Sequence, residues 1–166
     1  MGHEPEFEKL VELHYQPLYR FAFSLTHNTT EAADLTQQSF YILARNRSQV
    51  RDWNKARSWL FTTCHREFLG RRRRIVRFPE TEVEEAEAEL PAVAATPESA
   101  DAPTVLQALA KVDASFQAAV SLFYLEDYSY PEIAEILDIP LGTVKSRIAR
   151  GIRQLQRLLV EERKAG

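Results

Sequence analysis

The sequence lacks the features that mark disulfide-rich, metal-binding or membrane proteins. Its single cysteine, Cys64, cannot form an internal disulfide and is typical of a protein of the reducing cytoplasm. The four histidines are scattered, and no Cys/His spacing predicts a metal site. No stretch approaches the roughly 18 apolar residues of a membrane span, and the acidic first residues predict no signal peptide. We therefore expect a cytoplasmic protein without a cofactor or membrane insertion.

The sequence also has no convincing β-strand pattern and no repeat of fixed period. Its apolar residues, 45% of the total, recur at helical spacing, so we expect an all-α fold of two small helical domains. In the first half the predicted helices span about 5–25, 31–45 and 55–74. Pro17 predicts a break or kink in the first of these helices, and Thr29 or Thr30 is the expected N-cap of the second.

The net charge of −3 is unevenly distributed. Residues 1–78 hold 13 Lys and Arg against 8 Asp and Glu, residues 79–101 hold 8 acids and no base, and the remainder holds 8 of each. The acidic stretch is rich in Glu, Ala and Pro without an aromatic residue, so it cannot bury enough apolar surface to fold alone. We therefore expect a domain over 1–78, a flexible acidic linker over 79–102 and a second domain over 103–166.

Residues 129–159 have the pattern of a helix-turn-helix. Ser129 is a good N-cap, and Glu132 stands where its capping-box partner belongs. Asp138, which tolerates a left-handed turn, and Pro140 end the first helix. The second helix is predicted to start near Gly142 or Thr143. Its apolar stripe consists of Val144, Ile148, Ile152, Leu155 and Leu159.

The other faces of this second helix are basic, because no acid occurs between Asp138 and Glu161. The polar and basic positions are Lys145, Ser146, Arg147, Arg150, Arg153 and Arg157. A helix with an apolar back and a basic front, presented by a short preceding helix, suits the major groove of DNA. The alternative is a solvated basic face on an ordinary helical hairpin.

The second predicted helix carries a polar-aromatic face. Asp34, Gln37, Gln38 and Tyr41 share this face, which is either a solvated surface or a surface that docks on another protein.

The third predicted helix ends in four consecutive arginines, residues 71–74, with Trp53, Trp59 and Phe61 before them. Basic charge beside aromatic rings is typical of sites where single-stranded bases stack. The alternative is that both tryptophans are core residues.

In these motifs the chain resembles the extracytoplasmic-function sigma factors of bacteria. Residues 34–40 look like the family's helix that binds core polymerase, and residues 58–61 with the basic helix end look like its promoter-melting helix. Residues 129–134 and 140–147 look like its C-terminal recognition motif. The resemblance covers nearly the whole chain outside the acidic linker.

The resemblance implies a specificity subunit without catalysis that binds the clamp of bacterial core RNA polymerase and promoter DNA. It gives polymerase binding to Asp34, Gln37, Gln38 and Phe40. It assigns recognition of the −10 element and strand separation to Asn46, Arg47, Trp53, Trp59, Arg66, Arg71, Arg72, Arg73 and Arg74. The loop over 46–54 would hold a flipped base. It gives the −35 element to Thr143, Lys145, Ser146, Arg147 and Arg150, with the amides of residues 142–144 on a phosphate. It also implies an anti-sigma partner packed between the two domains.

The chain departs from the family pattern at several positions. Cys64-His65-Arg66 stands where the family has a small residue and Arg-Asn, Gly70 stands near a usual Asp, and Asp138 stands where Gly is common. The competing interpretation is a stand-alone helix-turn-helix regulator with an N-terminal interaction domain. An enzyme using Cys64 and His65 is disfavoured, because adjacent helical residues point about 100° apart.

Overall fold

The computed structural model describes residues 6–77 and 102–165, and the chain divides into two compact units, Met1–Glu87 and Ala88–Gly166. Over the described ranges it forms seven α-helices and two short 3₁₀ turns, with no β-strand. The prediction of an all-α fold is therefore confirmed. Residues 79–101 of the predicted acidic linker lie outside the described residues.

The first unit is a three-helix bundle in which each helix packs against the other two. Its helices are α1 (Phe7–Thr26), α2 (Thr29–Arg45) and α3 (Ala56–Arg77), with 3₁₀ turns at Arg47–Gln49 and Trp53–Lys55 between α2 and α3. The core is apolar and aromatic. Phe21 and Phe61 meet edge to face with ring centroids 5.2 Å apart, and Leu35, Leu43 and Leu60 are fully buried around them.

Helix α1 runs through Pro17 without interruption, so of the predicted break or kink the break is wrong. Proline removes a single backbone hydrogen bond from a helix interior. The remaining turns of this 20-residue helix are held by burial of Leu10 before Pro17 and of Leu18 and Phe21 after it. Tertiary packing therefore overrides the local cost of the proline.

The N-cap of α2 is Asn28, and the predicted cap at Thr29 or Thr30 is wrong. The Asn28 side-chain oxygen accepts a hydrogen bond from the Glu31 amide at 2.9 Å, and its backbone is extended, as an N-cap requires. His27, in the left-handed region at φ 54°, ends α1 by donating its amide to the Phe23 carbonyl at 2.9 Å. Both threonines consequently lie inside the first turn of α2.

The second unit is built around its last helix, which packs against each of the other three. The helices are α4 (Ala102–Ala110), α5 (Ala114–Tyr124), α6 (Tyr130–Leu137) and α7 (Leu141–Ala165). Gln117 is buried in α5 and its side-chain amide donates to the carbonyls of Leu109, Ala110 and Val112, at 3.2, 3.4 and 2.9 Å. This amide supplies a donor to carbonyls at and just after the end of α4, where the Leu109 carbonyl also accepts from the Val112 amide at 3.1 Å.

Helices α5 and α7 approach each other closely at Gly151. A Cβ atom placed on Gly151 would lie 2.3 Å from Val120 Cγ2 and 3.1 Å from Phe116 Cβ. Only hydrogen fits at this position, and so glycine sets the distance between the two helices. No helix in the described part of the chain is both long enough and apolar enough to cross a bilayer.

Candidate nucleic-acid and protein interfaces

Helix α6 begins with the predicted capping box. Ser129 Oγ accepts a hydrogen bond from the Glu132 amide at 3.3 Å, and Glu132 Oε1 accepts one from the Ser129 amide at 2.9 Å. The helix ends at Asp138, which adopts the left-handed conformation at φ 54° and donates its amide to the Ala134 carbonyl. Both boundary predictions are confirmed, and they fix the turn that presents α7.

Helix α7 turns its apolar stripe inward. Val144, Ile148 and Leu155 are at most 1% exposed, and Ile152 and Leu159 are partly buried against the same core. The stripe predicted from the sequence is therefore the side of α7 that packs in this unit.

The outward side of α7 is basic over the four turns that follow its start. Of the predicted −35 residues, Lys145, Ser146 and Arg150 are exposed, while Thr143 and Arg147 are half-buried at the edges of the exposed face. Further along, the exposed cations are Arg153 and Arg157. Since residues seven apart in an α-helix differ in direction by only about 20°, Arg153 lies almost in line with Ser146. The exposed face thus extends beyond the residues that the resemblance singled out.

The start of α7 offers fewer backbone donors than the sequence predicted. Two of the three predicted amides, those of Thr143 and Val144, already donate to the Pro140 carbonyl at 3.0 and 3.1 Å. Gly142 is exposed, and no atom lies within 4 Å of where its Cβ would be. Of the amides at residues 142–144 that the sequence offers to a phosphate, those of Thr143 and Val144 already have a backbone acceptor, and a phosphate contact at Gly142 stays a prediction.

An open pocket of about 440 Å³ lies between the α2–α3 loop and the adjoining ends of the two helices. Asn46 and Trp59, both predicted −10 residues, line it together with Leu43, Asp52 and Lys55. The two other predicted residues of this region lie outside the pocket lining: Arg47 lies over the Phe7 ring, 5.3 Å from its centroid, and Trp53 is half-buried nearby in the chain. The volume is within the range of small-molecule sites and has both an aromatic wall and polar groups.

The two tryptophans therefore fit neither a purely core position nor a fully exposed stacking surface. Trp53 and Trp59 are both half-buried, so neither is a fully buried core residue. Trp59 presents part of its ring to the pocket, whereas Trp53 is the first residue of the 3₁₀ turn that closes the loop.

The end of α3 is basic, but its four consecutive arginines have different surroundings. Arg71 is half-buried and its Nη1 lies 2.9 Å from Asp34 Oδ2 of α2. Arg72 lies over the Phe68 ring, 5.3 Å from the centroid. Arg73 and Arg74 are exposed, as is Arg66 one to two turns earlier.

The polar face of α2 is exposed at Asp34 and Gln37 and half-exposed at Gln38. Phe40 is only 5% exposed, with its ring edge-on to Phe7 at 6.3 Å, so the structure places it in the core and not on this face. The surface aromatic residue of α2 is Tyr41, at 56% exposure. Helical spacing predicts Tyr41 on the face with Asp34 and Gln37 and allows Phe40 in the core, whereas only the family motif assigns Phe40 to polymerase binding.

Cys64 is fully buried in α3. Burial raises the pKa of the Cys64 thiol to about 12, against a smaller opposing effect of a hydrogen bond with Ser39. A thiol that stays protonated and inaccessible cannot act as a nucleophile. The structure therefore gives no support to an enzyme that uses Cys64 and His65.

Comparisons with known proteins cover both units. Residues 10–78 match the family described as Sigma-70 region 2, and residues 104–155 match the family described as Sigma-70, region 4. The chain is 29% identical to RNA polymerase sigma factor YlaC of Bacillus subtilis, over 98% of this chain and 97% of that protein. It is 30% identical to ECF RNA polymerase sigma factor SigL of Mycobacterium tuberculosis, over 92% of this chain and 88% of that protein. Among solved structures, it is similar to the sigma factor RpoE crystallised with the anti-sigma factor NepR from Bartonella quintana. The TM-score is 0.77, with 26% identity over 94% of this chain and 98% of that one.

Proposed function

The chain belongs to the extracytoplasmic-function sigma factors of RNA polymerase, and from this membership we propose how its residues divide the recognition of polymerase and promoter. It binds core RNA polymerase and directs transcription initiation from promoters with −10 and −35 elements. We infer that it has no catalytic activity of its own and acts in the cytoplasm, where the polymerase carries out the catalysis.

The second unit reads the −35 element through α7. The observation that carries this assignment is the division of α7 into a buried apolar side and an exposed basic side without an acid from residue 139 to residue 160. Lys145, Ser146 and Arg150 reach base edges or phosphates from the exposed face, and Thr143 and Arg147 contact DNA from its edges. The open backbone at Gly142 sets the depth of α7 in the groove.

The pocket between α2 and α3 receives a base flipped out of the −10 element. Trp59 offers a ring for stacking, and Asn46, Asp52 and Lys55 offer hydrogen-bonding groups to a base edge. The exposed Arg66, with the arginines at the end of α3, holds the phosphates of the separated strand.

The polar face of α2 binds the polymerase clamp. Asp34, Gln37 and Gln38 provide its polar contacts, and Tyr41 provides an exposed aromatic ring of the kind that anchors protein interfaces. Phe40 supports this face from the core. We also propose that an anti-sigma factor regulates the chain, because RpoE, which shares its fold, was crystallised with one.

Run-off transcription tests the function as a whole. Purified core polymerase with this protein, on genomic fragments that include the protein's own upstream region, should give transcripts that share sequence elements upstream of their start sites. DNA binding without transcripts and without core binding would contradict the proposal and support a stand-alone regulator.

The −35 assignment is tested with a matched pair of charge-removing variants. Arg150→Ala, on the basic face of α7, should weaken binding to promoter DNA by about 1–3 kcal/mol if the guanidinium reads a base. If the guanidinium contacts a phosphate, the variant should instead lose the same affinity for every DNA sequence. Lys111→Ala removes the same charge from an exposed position of the same unit outside α7, and should leave binding nearly unchanged. Equal losses in both variants would refute a specific role for α7.

The pocket assignment is tested with abasic promoters. An abasic site at the captured −10 position should impair open-complex formation by the wild-type holoenzyme, and Trp59→Ala should remove most of the difference between abasic and intact DNA. Trp53→Ala serves as the control, because Trp53 does not line the pocket, and should retain the difference. A Trp59→Ala holoenzyme that remains fully sensitive to every abasic position would refute base capture in this pocket.

A further inference from the structure

One ion pair joins the two surfaces that we assign to different macromolecules. Asp34 lies on the polar face of α2, and Arg71 lies at the basic end of α3. Arg71 Nη1 and Asp34 Oδ2 are 2.9 Å apart, a distance typical of a charge-assisted hydrogen bond. The Asp34 side chain is 66% exposed and the Arg71 side chain 25% exposed, so a partner can reach the carboxylate more readily than it can reach the arginine.

Arg71 therefore differs from the arginines that follow it. Arg73 and Arg74 are exposed, and Arg72 rests on an aromatic ring that leaves its charge available. A DNA phosphate that binds Arg71 must either displace the Asp34 carboxylate or share the guanidinium with it, although the carboxylate lies only about 3 Å from that guanidinium and repels the phosphate. Either alternative weakens the contact.

We propose that the Asp34–Arg71 ion pair withholds Arg71 from DNA in the free protein, and that polymerase binding at Asp34 releases it. This inference rests on the proposed assignment of α2 to polymerase and of α3 to the −10 region. A cation or hydrogen-bond donor of the polymerase that takes the Asp34 carboxylate leaves the guanidinium free to bind a phosphate. By linkage, polymerase then raises the affinity for DNA, and DNA raises the affinity for polymerase by the same factor.

The expected size follows from the exposure of the pair. Partly exposed ion pairs contribute modestly to stability, so the competition should alter DNA affinity by about two- to five-fold. The ion pair consequently weakens the contact of Arg71 with DNA in the free protein, but it does not by itself determine whether the protein binds DNA.

A double-mutant cycle on the full chain tests the proposal. The affinity for fluorescein-labelled oligothymidylate is measured for wild type, Asp34→Asn, Arg71→Gln and the double variant. Asp34→Asn should raise the affinity about two- to five-fold. Arg71→Gln should cost about two- to five-fold more in the Asp34→Asn background than in the wild-type background.

The control separates the ion pair from general electrostatics. Glu31→Gln removes the same charge one turn earlier on α2, where the side chain is half-buried. If Glu31→Gln and Asp34→Asn raise the affinity equally, or if the two backgrounds respond equally to Arg71→Gln, the ion pair does not withhold Arg71 and the proposal is overturned. Because partly exposed ion pairs contribute little to stability, the tryptophan fluorescence melting curve of each variant should stay close to that of the wild type.

The role of polymerase is tested separately in the assembled holoenzyme. With core polymerase bound, Arg71→Gln should weaken binding to the same oligonucleotide as strongly as it does in the free Asp34→Asn protein. Core affinity itself is measured for Asp34→Asn and Gln37→Ala. Unchanged core affinity in both would refute the polymerase surface. Reduced core affinity together with a flat double-mutant cycle would refute the ion-pair mechanism alone.

Discussion

Replacing Gly151 by alanine should destabilise the second unit. The new Cβ would lie 2.3 Å from Val120 Cγ2 and 3.1 Å from Phe116 Cβ, whereas carbon atoms at their optimal separation are about 3.5–4.0 Å apart. Val120 is fully buried and β-branched, and a valine in a helix has essentially one favourable rotamer. Its methyl group cannot rotate away, so α5 and α7 must move apart by roughly 1 Å.

The magnitude is a balance of two opposing contributions. Overpacking a close-packed core costs about 1–3 kcal/mol, and alanine recovers about 1 kcal/mol over glycine in helix propensity. Because the overlap involves a buried methyl group with no free rotamer, we expect the cost to be near its upper limit. The net loss is then about 1–2 kcal/mol, and the midpoint falls by about 5–15 °C for a unit of this size. The shift of α7 should also weaken −35 binding.

The chain contains a matched control and a built-in reporter. Nothing lies within 4 Å of a Cβ on Gly70 in α3, so Gly70→Ala should stabilise the first unit by about 1 kcal/mol. Both tryptophans, Trp53 and Trp59, belong to the first unit, so their fluorescence follows that unit while far-UV circular dichroism follows both. Gly151→Ala should lower a transition seen by circular dichroism and leave the tryptophan transition in place. A neutral or stabilised Gly151→Ala variant would refute the close approach of α5 and α7.

Three further outcomes follow from single side chains. Ser129→Ala removes the capping box of α6 and should lower the stability of the second unit by about 1 kcal/mol, whereas Ser129→Asp should retain most of it; chemical denaturation measures both. Gln117→Met removes the amide donor from the Ala110 and Val112 carbonyls, while the Leu109 carbonyl keeps the Val112 amide, and should cost about 1–3 kcal/mol in the same measurement; a neutral result would mean that water replaces the Gln117 amide. Because burial raises the pKa of the Cys64 thiol to about 12, the unfolded chain ionises first above about pH 9. The stability that this thiol provides is therefore complete below that pH and is lost towards pH 12, at up to about 1.4 kcal/mol per pH unit. Cys64→Ala should lack this part of the alkaline decline in the tryptophan fluorescence transition.

The sequence predicted best where a short segment determines its own structure. Ser129 and Glu132 form a capping box through contacts three residues apart, and Asp138 ends α6 with its own backbone. The buried stripe of α7 follows directly from helical spacing. Family membership was also readable, because its motifs are local and occur in order along the chain, and the comparisons confirm it.

Prediction from the sequence was less accurate where two neighbouring residues could both cap a helix, or where contacts between residues distant in sequence determine the local structure. Asn28 and Thr29 are both good N-caps, and the preference for Asn28 depends on where α1 ends at His27. The continuity of α1 through Pro17 depends on helices that are distant in sequence. At Phe40 the two sources of prediction disagree, because helical spacing allows a core position and the family motif assigns a polymerase contact. The burial of Phe40 against Phe7 agrees with helical spacing.

The same limit applies to charge. The run of residues 71–74 appears in the sequence as four equivalent cations, but α2 supplies a carboxylate to one of them and Phe68 supplies a ring to another. Exposed charges are screened beyond about 8 Å at physiological ionic strength, so DNA responds to the charges beside its phosphates and not to the net charge of −3. An acidic protein can therefore bind DNA, provided that its acids and bases are segregated as they are along α7. Where an acid does stand beside a base, as Asp34 does beside Arg71, we propose that the cation binds a phosphate a few-fold more tightly once another group takes the carboxylate.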